Sequence, residues 1–349
     1  MPTACMISFR LGGGDGVSVE AAKWAWALRT LGWEVRTVAG AGAVDLVLPG
    51  LAIDAAEPPT RPEVEDACAA ADLVVVENLC SLPLNPPAAA IVARVCAARP
   101  ALFHHHDLPW QRPHLAHLPP PPDDPRWVHV TINELSRAEL GARGVAATTI
   151  YNAFDPDPAP GDRARTRATL GLDDGALLLQ PTRALERKNI AGALELTAAV
   201  GGAYWLLGPA EDGYGPELDR LVARASCPVL LGQPPGGCSI ADAYAACDAV
   251  VLPSFWEGFG NPSVESATHR RPLAIGSYPV AAELAAFGFR WFGVADPAPL
   301  ARWLEQRDEA RLTHNQRVAA THFNLADLPA RLAGVLTGSG ISGKGVTSR

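Results

Sequence analysis

The sequence predicts an α/β protein built of two parallel-sheet domains that face a central cleft. Three observations lead there. Short β-like runs alternate with helical stretches through most of the chain, the alternation breaks once at a proline-rich stretch, and 349 residues are more than one hydrophobic core commonly organises.

In chain order, "ACMISFRL" reads as a buried strand, followed by a glycine turn and a helix to about Leu31. "EVRTVAG" and "DLVVVENL" are the next strands, "AAAIVARVCAARP" a helix, and "ALFHHHD", "VHVTI" and "TTIYNAF" the strands that complete a first domain over 1–154. Strand, helix, strand in repetition implies a parallel sheet covered on both faces. The stretch "DPDPAPGDRA", residues 155–164, has the prolines and aspartates of a linker. The pattern resumes with "GALLLQPT", "AYWLLGPA", "CPVLLGQ", "DAVVLPS" and "PLAIGS", a second domain over 165–320. "NLADLPARLAGVLT" predicts a closing helix, placed over 321–337, and the polar, glycine-rich tail 338–349 is expected to be disordered. Arg112 to Trp127, "RPHLAHLPPPPDDPRW", is too rich in proline for a helix and reads as a long loop at the cleft rim.

Composition excludes several classes. A formal net charge of −8 argues against nucleic acid as a partner and against an anionic membrane. No basic-then-apolar leader and no apolar run of spanning length appear, so a cytoplasmic location is expected. Trp24 and Trp26 raise membrane association without indicating it, and at helical spacing at least one belongs in the core. The seven cysteines are scattered, with no C-x-x-C, and read as reduced thiols. Nothing in the sequence sets an oligomeric state.

The chemistry is concentrated in "FWEGFGNPSVESATHRRP", residues 255–272. Asn261 is a favoured N-cap and Pro262 a favoured first helical residue, so Glu257 falls in the loop before a helix and Glu265 in its first turn. A helix start lined by Gly258 and Gly260 suits a phosphate, and a carboxylate on either side can accept bonds from hydroxyls. A diphosphate with a sugar at each end, one of them ribose, has that layout. In "QPTRALERKN", Arg183 and Lys188 follow the first strand of the second domain and could converge on the diphosphate. In "FHHHD", His106 and Asp107 end a strand and open onto the cleft, with Trp110 nearby as a flat surface for a sugar ring. His104 and His106 share a strand face as two metal ligands would, but no third ligand stands at fixed spacing, and no metal or cofactor is expected. Gly13 and Gly14, in "RLGGGDG", would let a substrate's backbone or phosphate approach the first helix.

These residues together resemble the family-4 retaining glycosyltransferases, in order over most of the chain. The resemblance implies the GT-B fold, two Rossmann-like domains around a cleft. The family's glycine-rich first loop is similar to Gly12–Gly16, its strand-end histidine to His106, its N-G-x-D to Asn152–Asp155, and its Arg and Lys pair to Arg183 and Lys188. Its E-x7-E element is similar to Glu257 through Glu265, with the E-G-F-G opening, and is the specific part. The resemblance implies that Glu257 faces the donor sugar and Glu265 the ribose. It gives the amides around Phe259, Asn261, Pro262, Ser263 and Val264 to the phosphates. It makes the first domain the acceptor side and the partners a nucleotide-sugar and a carbohydrate or small-molecule acceptor. This chain departs at Pro279-Val280, ahead of Glu283, where the family often carries a glycine pair, and at Ala153, where a glycine is common. Loops near Gly208 and Gly232 are expected to contact the base. Rival readings are a GT-B epimerase or phosphorylase, a binding module without turnover, and, more distantly, an NAD-dependent dehydrogenase. The dehydrogenase lacks its ribose-binding acid at the end of "EVRTVAG".

Overall fold

Strand β1 (Thr3–Leu11) shows why the first sheet is buried on both faces. Ala4 and Met6 pack with Trp24 and Leu28 on one side, while Cys5 and Ile7 pack with Val92 and Phe103 on the other. Successive side chains alternate across the pleat, so a wholly apolar run needs cover above and below. In the computed structural model, which describes residues 1–97, 99–172 and 174–341, that cover comes from helices on both faces. The strands that follow are β2 (Glu34–Gly42), β3 (Leu46–Val47), β4 (Leu73–Glu77), β5 (Ala101–His105), β6 (Trp127–Thr131) and β7 (Ala147–Thr149). They form a parallel sheet in the order β3-β2-β1-β4-β5-β6-β7.

The second unit repeats the architecture with β8 (Leu177–Gln180), β9 (Ala203–Leu206), β10 (Val229–Leu231), β11 (Ala249–Leu252), β12 (Leu273–Ile275) and β13 (Phe292–Gly293). Its parallel order is β10-β9-β8-β11-β12-β13. In each sheet the winding reverses once, between β1 and β4 and between β8 and β11. In open parallel sheets, ligands bind at the carboxyl ends of the strands at such a reversal.

The units divide as Met1–Ala153 with the chain from Leu325 onward, and Phe154–Asn324. This differs from the expected boundaries in three ways. Residues 155–164 belong to the second unit: Asp162 N–H donates to Asp242 at 2.8 Å, and Arg163, the first residue of the helix Arg163–Thr169, donates to the carbonyls of Ala245, Ala246 and Cys247. A boundary at 320 would cut the helix Glu309–His322. The closing helix starts at Leu328, not 321, and runs to Gly338. Leu328, Leu332 and Leu336 on one of its faces join Trp24 and Leu28 in the core of the first unit. The tail prediction beyond residue 341 lies outside the described residues. Trp24 is buried and Trp26 is exposed, and among the described residues no helix is long and apolar enough to cross a membrane.

Candidate functional site

At the β8/β11 reversal, two loops are laced together. Asn189, in left-handed conformation, caps the helix Ile190–Ala199 and also donates to the Pro253 carbonyl at 3.1 Å. Phe255 N–H donates to the Arg187 carbonyl at 2.9 Å, and Arg187 Nη1 returns a bond to the Trp256 carbonyl at 3.0 Å. This lacing sets Lys188 and Arg187 against Glu257. Glu257 Oε1 accepts from Lys188 Nζ at 2.5 Å and from Ser254 Oγ at 2.6 Å, and Oε2 accepts from Arg187 Nη1 at 2.8 Å. Both partners of the central ion pair are buried, Glu257 at 5% and Lys188 at 7% exposure. Burial alone would raise the Glu257 carboxyl, but Lys188, Arg187 and Ser254 hold it down at about 2. Burial pulls the Lys188 ammonium down to about 8 against the attraction of Glu257, and the charges of Arg187 and Arg183 add to the lowering. The two partners thus fare differently: the carboxylate meets two cations and a hydroxyl, while the ammonium meets one carboxylate and two like charges.

Arg183 is held elsewhere, by Glu211 at 2.5 Å, so the expected Arg–Lys pair is divided between two carboxylates in this state. Glu265 lies in the first turn of the helix Pro262–Thr268, where the sequence put it, and accepts from the Tyr244 hydroxyl at 2.8 Å. Tyr244 in turn stacks on His269 with ring centroids 4.5 Å apart.

The helix start itself differs from expectation. Asn261 already has helical angles (φ −43°, ψ −41°) and makes no capping bond, because the turn tightens one residue earlier. Ser263 N–H donates to the Gly260 carbonyl at 2.8 Å and Val264 N–H to the Asn261 carbonyl at 3.0 Å, while Pro262 has no N–H. Those two amides are therefore spent inside the turn, while the Ser263 hydroxyl is buried and, among the described residues, has no partner. Gly260 permits the turn with φ +83°. The Phe259 ring is buried between Phe154 and Phe323. At the ends of β9 and β10 an open hollow of about 450 Å³ is lined by Leu207, Gly208, Leu231, Gly232 and Gln233, the loops expected at the base.

In the first unit the reversal brings together the loops after β1, β4 and β5. Gly13 and Gly14 are exposed in the turn before the helix Gly16–Thr30, and Gly12 (φ +75°) is pressed against the Ala43 backbone, leaving no room for a side chain. Asp15 caps that helix through Ser18 N–H at 3.2 Å, so its start already carries a carboxylate and is a poor anion site.

His106 follows β5 directly, and its partner is Glu77, the last residue of β4. Glu77 Oε2 accepts from His106 Nε2–H at 2.9 Å and from His104 Nδ1–H at 2.9 Å, which assigns both tautomers and leaves Nδ1 of His106 as the acceptor edge. Asn78 fixes the backbone beside them: its Oδ1 accepts from the N–H groups of His106 and Asp107, each at 3.1 Å. Burial would raise the Glu77 carboxyl, but the two histidines bring it to about 2, while burial lowers His104. Among the described residues Glu77, His104 and His106 are also the group whose ligand atoms could surround a metal ion, so the fold supplies from β4 the third residue that spacing along the chain did not. Their 2.9 Å contacts, however, are those of hydrogen bonds. Nitrogen and oxygen ligands around a tetrahedral ion stand about 3.4 Å apart.

On the opposite face of β5 a second chain of bonds runs from Ser81 to His105 (2.6 Å), from His105 to His129 (2.9 Å) and from His129 to Asp123 (3.1 Å). Asp107 pairs with Arg112 at 3.0 Å. Trp110 is not an open platform: its Nε1–H donates to Glu139 at 2.9 Å, and the Arg143 guanidinium covers its ring at 3.7 Å. The end of the neighbouring helix Glu134–Gly141 brings Arg143 there.

Glu77, Asn78, Arg187 and Ser254 were not singled out from the sequence. Glu77 had a signal, a lone carboxylate at the end of an otherwise apolar buried strand. Arg187 and Ser254 had none, because their roles exist only once the two loops meet.

By sequence the chain is similar to mannosylglucosylglycerate synthase of Thermotoga maritima, at 26% identity over 353 aligned positions covering 79% of this chain and 80% of that protein. It is similar to the enzyme of the same name from Petrotoga mobilis at 24% identity over 379 positions, covering 85% and 87%. Among solved structures, Anabaena Alr3699/HepE in complex with UDP-glucose aligns with a TM-score of 0.73 and 19% identity, covering 96% of this chain and 99% of that one. The fold is that of the GT-B glycosyltransferases. No protein-family model matches the chain.

Proposed function

We propose that the chain is a retaining glycosyltransferase that moves a hexose from a nucleoside-diphosphate sugar to an acceptor hydroxyl. The observation that carries this reading is the clasp on Glu257. A buried carboxylate is held in place by Lys188, Arg187 and Ser254, eight residues before Glu265, at the sheet reversal where ligands bind in such folds. Glu257 is oriented to meet the donor sugar, Glu265 to accept from the ribose, and the hollow at Gly208 and Gly232 to take the base. Arg183, Lys188 and the Ser263 hydroxyl meet the diphosphate. Burial lowers Lys188 to about 8, so it stays mostly charged at neutral pH, and an arriving diphosphate would stabilise that charge, with a gain that grows as the leaving group becomes more negative. These cations do what a metal would otherwise do, so turnover needs no divalent ion.

On the acceptor side, His106 accepts a substrate hydroxyl proton at Nδ1, with Glu77 setting the ring and Asn78 the backbone, and Asp107 lies beside it. The names of the two sequence relatives make a small glycosidic acid such as glucosylglycerate the first acceptor to try.

The test is to incubate the protein with UDP-glucose or GDP-mannose and glucosylglycerate in excess EDTA. Nucleoside diphosphate should be released only when acceptor is present, and proton NMR of the first product from an α-linked donor should show an α linkage. A β product would remove retention, and activity abolished by EDTA would remove the metal-free mechanism.

A further inference from the structure

Helix Pro279–Ala285 is preceded by Tyr278, whose side chain is turned into the protein with the residue 4% exposed. Its hydroxyl is buried and, among the described residues, has no hydrogen-bond partner. An unpaired buried donor destabilises a fold and is rare unless water or a ligand completes it. The hydroxyl lies against the Glu257 loop. A Cβ built on Gly260 would come within 2.7 Å of the Tyr278 oxygen, 3.2 Å of Leu252 Cδ2 and 3.5 Å of Glu257 Cβ, so the phenol can sit against this loop only because Gly260 has no side chain.

Tyr278 does not spend its proton on Glu257, although the charge of that carboxylate reaches it and, with burial, raises the phenol well above its ordinary value. Lys188 and Ser254 already bond one carboxylate oxygen, and Arg187 the other. The phenol is therefore a neutral, fixed O–H donor beside an acceptor whose geometry is also fixed. A single sugar hydroxyl can satisfy both groups, accepting from Tyr278 while donating to Glu257. Trp256 Nε1–H, in the residue before Glu257, is a second buried donor without a partner among the described residues.

We propose that Tyr278 is a specificity-determining residue for the donor, its hydroxyl reading one hydroxyl of the transferred hexose together with Glu257. The inference rests on the nucleotide-sugar reading above and deepens it: Tyr278 selects the sugar and takes no part in holding the nucleotide.

The experiment is titration calorimetry of UDP, GDP, UDP-glucose and GDP-mannose against the wild type and Tyr278→Phe, with thermal melting of both proteins. The phenylalanine ring keeps the packing, so melting should change little. The variant should bind the preferred sugar nucleotide about tenfold or more weakly and the bare diphosphate as the wild type does. Monodeoxy analogues of that sugar supply the second measurement: one analogue should lose affinity for the wild type and lose clearly less in Tyr278→Phe, where only the bond to Glu257 remains to be lost. Equal affinities of the two proteins for the sugar nucleotide would mean that water satisfies the hydroxyl and would overturn the inference. Equal losses for sugar nucleotide and bare diphosphate would assign Tyr278 to packing and overturn it too. A wild type that binds UDP or GDP but gains nothing from the sugar would overturn it while the nucleotide site stands. Binding of none of the four would overturn the nucleotide-sugar reading itself.

Discussion

Replacing Lys188 by methionine tests the clasp at its centre. A carboxyl brought from 4.5 to about 2 gives Glu257 a stabilisation of about 3 kcal/mol at neutral pH. An ammonium brought from 10.5 to about 8 sets a penalty of about the same size against it. The intact pair therefore adds little to stability, whereas half of it leaves a buried charge. Lys188→Met keeps Arg187 at 2.8 Å and Ser254 at 2.6 Å on Glu257, so the loss should lie at the low end for broken buried pairs, about 3 kcal/mol. Glu257→Gln should lose a similar amount, since it strands Lys188 beside two guanidinium groups. The double variant should recover most of what either single variant loses. Urea unfolding at pH 7, with hydrogen exchange of the β8 and β11 amides to read the second unit directly, measures all three. If Lys188 also meets the departing diphosphate, kcat of Lys188→Met in EDTA should fall on the order of a hundredfold, more than KM rises. Single variants within about 0.5 kcal/mol of wild type, or strictly additive losses in the double variant, would refute the reasoning, because surface pairs behave that way.

Burial holds His104, His105 and His129 below the ordinary histidine value of 6.5, so the unfolded chain takes up protons first as pH falls. Stability of the first unit should be full above about pH 6.5 and decline below it; a melting temperature unchanged between pH 7.5 and 5 would contradict this. Glu265→Ala should weaken binding of the bare nucleoside diphosphate by about 1 to 3 kcal/mol, the range for a charge-assisted bond, while Glu257→Gln should leave that binding nearly intact. Calorimetry with UDP and GDP decides it, and equal losses would show that the two glutamates have each other's roles.

Much of the architecture was determined by the sequence itself, because apolar runs such as "LVVVE" and "AVVL" must be covered on both faces wherever they lie. The helix at Pro262 and the position of Glu265 in its first turn follow from local chemistry in the same way. Short edge strands did not: β3 and β13 are each two residues long and have no period to read. The Glu77–His104–His106 group is tertiary, since β4 and β5 are neighbours only through their parallel register, Glu77 against His104. The same holds for the seat of the closing helix, whose apolar stripe shows that it must pack and leaves open against which unit. At the site, local rules proposed Asn261 as a cap and Trp110 as a platform. A tighter local turn at Gly260 and the Arg143 guanidinium decided otherwise. Charge partners are the least local feature of all. Lys188 meets Glu257 across 69 positions and Arg183 meets Glu211 across 28, because which opposite charges face one another depends on which loops the fold brings together.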